Sequence, residues 1–99
     1  MIDTNALKDF DASEYLDSDE GIQIFLNDAF ETNNPKYIAN ALGVAARAKG
    51  MTELAKKTGI RREQLYQALN ENGNPTLQTL MPVISALGLS LHVSVTPSA

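Results

Sequence analysis

The chain has 99 residues, 43% of them hydrophobic and 20% charged, enough for one small core and too few for two. Six glycines and four prolines are too few for a low-complexity chain, and the absence of cysteine excludes disulfides and thiolate metal sites. No apolar run reaches the roughly 18 residues of a membrane helix, and the first residues lack the basic start and apolar stretch of a signal peptide, so a cytoplasmic protein is expected. The net charge of −4 is divided unevenly along the chain. Residues 1–35 carry nine acidic groups and one basic, residues 36–70 seven basic and two acidic, and the remainder only Glu71. An acidic front and a basic middle suggest two surfaces with different partners.

Residues 1–10 show no sustained period and read as a loose arm. Asp11 with Glu14, and Asp17 with Glu20, each place a capping acid three residues before a glutamate, the spacing of a capping box. The first box opens one turn ending near Leu16. The second opens a longer helix with Ile22, Phe25, Leu26, Ala29 and Phe30 on one stripe. Asn34-Pro35 supplies a cap and a first-turn proline for a helix running to Lys49, with Ile38, Ala41, Leu42 and Ala45 inward. Gly43 inside that helix costs about 1 kcal/mol relative to alanine, which points to a close helix crossing. Gly50 ends it.

Short helices are expected over 51–58 and 61–69, joined by Gly59-Ile60. Gly59 sits where a tight turn demands positive φ, and Leu54, Ile60, Leu65 and Ala68 are spaced to bury together. Asn72-Gly73-Asn74-Pro75 is a turn, after which Thr76 caps a last helix with Leu77, Leu80, Met81, Ile84 and Leu87 inward and Pro82 bending it. From Leu89 to Val95 apolar and polar residues alternate as in a half-buried strand. A lone strand leaves its backbone unpaired, so Leu89, Leu91, Val93 and Val95 are candidates for pairing with the same strand of a second copy, with the N-terminal arm or another protein as alternatives.

The pair of short helices leaves Arg61, Arg62, Glu63, Tyr66 and Gln67 exposed on the second, side-chain types able to read base edges in a major groove. Glu63 can accept a bond from cytosine or pair within its helix, and Tyr66 can touch DNA or pack at the helix rim. His92, the single histidine, falls on the polar face of the strand and reads as a surface residue. Leu54-Ala55, Thr58-Gly59-Ile60, Asn74-Pro75-Thr76-Leu77 and Ala86-Leu87-Gly88 occur in the order of a lambda-repressor-like helix-turn-helix domain, which residues 36–88 resemble. The whole chain resembles the probable addiction-module antidote family through Asp11 to Leu16, Ile38 to Gly43, Gly50 to Ala55, Arg62 to Leu69 and Gly73 to Pro75.

The resemblance implies an all-α helix-turn-helix bundle of about five to six helices with a short C-terminal strand that pairs between subunits. It divides the chain into an acidic partner-binding segment (1–34), a DNA-binding domain (35–88) and a dimerisation tail (89–99). It implies an antitoxin that neutralises a RelE-like toxin by binding it and represses its own operon as a homodimer on double-stranded DNA, with no cofactor and no membrane partner. Carried onto this chain, the base-reading positions are Arg61, Arg62, Glu63, Tyr66 and Gln67, while Thr52 and the turn at Asn74 face phosphates. Tyr15, Leu16, Phe25 and Phe30 form the candidate toxin-docking surface. Arg61 stands where the family usually has a small capping hydroxyl, and Pro82 lies in a helix that is normally proline-free. No catalytic or metal-binding motif is present, so an enzyme is not expected. A repressor without a toxin, and a protein-binding module that no longer meets DNA, are the alternatives.

Overall fold

The computed structural model describes residues 16–96; the expected arm, the first capping box and Tyr15 lie outside them. Five helices follow in chain order: α1 (Asp19–Glu31), α2 (Pro35–Lys49), α3 (Met51–Thr58), α4 (Arg62–Ala68) and α5 (Leu77–Ala86). Ser18, rather than Asp17, caps α1, its hydroxyl accepting from the Gly21 amide at 3.0 Å. That phase puts Asp19 and Glu20 in the first turn, where the positive end of the helix dipole favours them. Thr32 closes α1 by donating its hydroxyl to the Ala29 carbonyl at 2.6 Å, and Asn33 takes a left-handed φ of 54°. The Asn34 side chain then accepts from the Lys36 and Tyr37 amides with Pro35 in the first turn, as expected.

The central helix is α2. Besides Ala41, Leu42 and Ala45, it buries Ala39, Gly43 and Ala46, leaving Ile38 half-buried. Such a run of small residues lets other backbones come close, and at Gly43 the Leu69 carbonyl does so. A Cβ built there would overlap the Leu69 oxygen and lie 3.0 Å from its carbonyl carbon. The expected close crossing is therefore between α2 and the end of α4. Gly59 ends α3 with φ 76°, a left-handed cap that glycine adopts without the Cβ penalty. Asn70 ends α4: its amide donates to the Tyr66 and Gln67 carbonyls, and its oxygen accepts from the Asn72 amide at 2.7 Å.

Ile22, Leu26, Leu42, Leu54, Leu65, Leu69, Val83 and Leu87 meet in one core, so α1 packs into the same cluster as the four helices after it. No polar or charged residue is buried among the described residues. Three expectations are corrected. Thr76 precedes α5 but makes no side-chain cap bond; its carbonyl accepts from Thr79 and Leu80 instead. The buried stripe of α5 is Val83, Ile84 and Leu87 with Leu80 half-buried, while Leu77 (70% exposed) and Met81 (47%) face outward. At about 100° per residue, Met81 falls roughly 110° from the centre of that stripe. Pro82 is accommodated inside α5; the carbonyl it leaves without an amide belongs to Gln78, which is exposed and open to water. Finally, the expected strand from Leu89 to Val95 does not form within the single chain, because no neighbouring segment of the described residues offers a ladder.

Candidate nucleic-acid interface

The α3–α4 pair is shaped by residues that serve the backbone and the core. Leu54 and Leu65 are fully buried, Ile60 packs at the edge, and the Thr58 hydroxyl donates to the Leu54 carbonyl (2.7 Å) while accepting from the Ile60 amide (3.1 Å). This local bonding and the left-handed Gly59 set the three residues, Gly59 to Arg61, that separate the two helices. Every side chain pointing away from the core along α4 is then presented outward.

Of the expected DNA-facing residues, Thr52, Arg61, Arg62, Glu63, Tyr66, Gln67 and Asn74 are all exposed. The fold gathers most of them into two adjoining open grooves. Thr52 and Arg61 share the first with Ala55, Lys56, Gly59 and Ile60. Arg61, Arg62, Glu63 and Tyr66 form the second. Gln67 and Asn74 line neither. Sequence reasoning missed Lys56; its signal was the four-residue spacing from Thr52, which puts both on one face of α3.

Electrostatically, the surface is open to an anion. Among the described residues the ion pairs are Lys49–Asp19 (2.8 Å) and Lys57–Glu53 (3.8 Å), and neither Arg61 nor Arg62 takes part. Arg62 instead lies over the Tyr66 ring, its guanidinium carbon 5.8 Å from the ring centre. Arg61 occupies the N-cap of α4 without a capping side-chain bond, so α4 forgoes the contribution of a hydroxyl there. The acidic front meets the basic middle at Asp19, where the hydrogen bond from Lys49, helped by the charges of Lys49 and Lys57, holds the carboxyl below its ordinary range.

The candidate docking residues sit elsewhere. Leu16, Phe25 and Phe30 are half-buried against the core, and Tyr15 lies outside the described residues. Phe30 also lines a groove with Gln23, Asn27, Ile84, Leu89 and His92, between α1 and the C-terminal tail. The apolar residue that α1 turns fully outward is Ile24, 48% exposed, which the helical stripe leaves on the opposite face. In the tail, Leu89 is half-buried, whereas Leu91 (40%), Val93 (101%) and Val95 (94%) are exposed. No described helix is long and apolar enough to cross a membrane.

Comparison with known proteins places this bundle. An uncharacterized protein of Haemophilus influenzae Rd is 48% identical over 90 residues, covering 91% of this chain and 93% of that protein. Antitoxin HipB of Escherichia coli K12 is 35% identical over 60 residues, covering 59% of this chain and 68% of HipB. No solved structure matches significantly. The family model for the probable addiction module antidote protein matches residues 6–95, which takes in all five helices and the groove-lining residues, and the chain belongs to that antidote family.

Proposed function

We propose that this protein is a DNA-binding antitoxin that neutralises a RelE-like toxin by direct binding and represses its own operon as a homodimer. The observation that carries the DNA-binding half is the continuous outward surface of Thr52, Lys56, Arg61, Arg62 and Tyr66 across two short helices held at a left-handed glycine. In this helix-turn-helix reading α4 enters the major groove with Arg61, Arg62, Glu63 and Gln67 towards base edges and Tyr66 beside Arg62. Thr52 and Asn74 meet the phosphates on either side. Membership of the antidote family and similarity to antitoxin HipB support the antitoxin half. The toxin docks on the acidic N-terminal segment and the edge of Phe25 and Phe30, a charge pattern suited to a basic partner.

Dimerisation uses the tail. Leu91, Val93 and Val95 expose their side chains in the single chain, and after Glu71 the sequence contains no Asp, Glu, Lys or Arg, so two copies meet there without like-charge repulsion. Antiparallel pairing of the two tails satisfies the backbone groups that one copy leaves open. A two-fold dimer then binds a palindrome with half-site centres about 34 Å apart.

Fluorescence anisotropy on the DNA upstream of the gene, against scrambled DNA at low and physiological salt, tests the repressor function. A preference of about 10³-fold or more for the upstream duplex is expected, and equal weak binding to both would refute it. Where a small basic reading frame lies beside the gene, as this function requires, co-purification with its product tests the antitoxin function. Failure of that product to bind, with both proteins folded, would refute it.

A further inference from the structure

Resting on the DNA-binding reading, we propose that Tyr66 is a positioning residue for Arg62, and that the stacked pair reads a guanine in the major groove. Arg62 and Tyr66 are four residues apart on α4, so their side chains meet on one face. The guanidinium carbon lies 5.8 Å from the ring centre, inside the range of about 6 Å in which the ring's negative face attracts a cation. Competing partners are absent among the described residues: neither ion pair includes Arg62, although Glu63 is its immediate neighbour.

The arrangement has a direct chemical consequence. A long arginine side chain at an exposed helix start has many rotamers, and fixing one of them on DNA lowers affinity. Contact with the Tyr66 ring restricts that freedom before DNA arrives, and Arg62 stays exposed, so an edge of its planar fork is free to face a base. The two N–H groups along that edge match the O6 and N7 acceptors of guanine, the base whose major-groove edge presents two acceptors side by side. What position 66 must supply is therefore a ring face; the phenolic hydroxyl is dispensable. Lysine at position 62 would neither stack in the same way nor present a fork.

The test uses the full chain and its upstream duplex, with each guanine replaced in turn by 7-deazaguanine, which removes the N7 acceptor and leaves the base pair intact. Wild-type protein is expected to lose on the order of tenfold in affinity at one guanine per half-site. Tyr66→Phe retains that sensitivity. Tyr66→Leu becomes insensitive at the same guanine while the salt dependence of binding, which counts phosphate contacts, is unchanged. In a double-mutant cycle, Arg62→Ala combined with Tyr66→Leu binds no worse than Arg62→Ala alone. Circular dichroism of each variant confirms the fold.

Additive losses in the cycle would overturn the proposal, since Tyr66 would then contact DNA independently. Loss of sensitivity in Tyr66→Phe equal to that in Tyr66→Leu would overturn it too, by assigning the role to the hydroxyl. Wild-type protein that does not distinguish upstream from scrambled DNA overturns the DNA-binding reading itself, and this proposal with it. A wild-type preference that Tyr66→Leu retains in full, 7-deaza sensitivity included, overturns the proposal alone.

Discussion

Replacing Gly43 by alanine tests the contact that fixes α4 on the rest of the bundle. In an open helix interior this change stabilises by about 1 kcal/mol, because alanine loses less backbone freedom on folding. Here the new Cβ would overlap the Leu69 oxygen and sit 3.0 Å from the Leu69 carbonyl carbon, both backbone atoms at the C-terminal end of α4. The Arg47 guanidinium, 3.3 Å from the same Cβ, can swing away. The Leu69 carbonyl can move only if α4 does, and Leu69 is itself buried in the core. Overpacking costs about 1–3 kcal/mol, and a clash with buried backbone falls in the upper part of that range, about 2–3 kcal/mol, so after the propensity gain of about 1 kcal/mol the variant should be less stable by about 1–2 kcal/mol. For a chain of this length that lowers Tm by roughly 5–15 °C. Urea titration followed by circular dichroism measures the loss as a lower midpoint with unchanged slope. Because α4 carries Arg62 and Tyr66, DNA preference should fall even at temperatures where the variant is fully folded. A variant as stable as wild type would refute the close approach of α2 to α4.

Three further predictions address other parts of the molecule. Arg61→Ser supplies the missing cap of α4 and should stabilise the protein by about 1 kcal/mol in the same urea assay. The same variant should lose about 1–3 kcal/mol of discrimination between upstream and scrambled DNA, and unchanged discrimination would remove Arg61 from the base contacts. Val93→Asp with Val95→Asp should leave the melting temperature of the single chain unchanged, since both side chains are exposed, yet give a monomer in sedimentation. A persistent dimer would exclude tail pairing. Asp19 has a folded pKa held below the ordinary carboxylate value of 3.8 by Lys49, so its contribution is complete above that value and is lost as pH falls through the lowered one. Urea midpoints of wild type and Asp19→Asn should therefore differ at neutral pH, more at low salt than at high, and converge in acid. Identical midpoints at neutral pH and low salt would show that the Lys49 bridge contributes nothing.

Much of this protein is legible in local sequence because its punctuation is local. Asn34-Pro35 and Gly59 each act on backbone groups within three or four residues, and a reader of the chain sees both partners at once. The core residues of α1 follow in the same way, since one helical period suffices to identify Ile22, Leu26 and Ala29. The exposed set on α4 is legible for the same reason: its inward complement, the buried Leu65 and half-buried Ala68, fixes which side faces out.

The remainder depends on what each element meets. Asp17 and Ser18 are both competent caps, and the packing phase of Ile22 and Leu26 in the core selects Ser18. Apolar residues in α5 are numerous enough to make several stripes, and only the neighbouring helices select Val83, Ile84 and Leu87 over Leu77 and Met81. The tail alternates like a strand, but strand hydrogen bonds require a second strand, which no local sequence can supply. The sequence by itself therefore determined the helices, the caps at Asn34 and Gly59 and the exposed chemistry of α4. Tertiary structure alone decided that the Leu69 carbonyl rests on Gly43 and that Arg61 joins the groove lined by Thr52 and Lys56, because the placement of one helix against another depends on packing that no local pattern records.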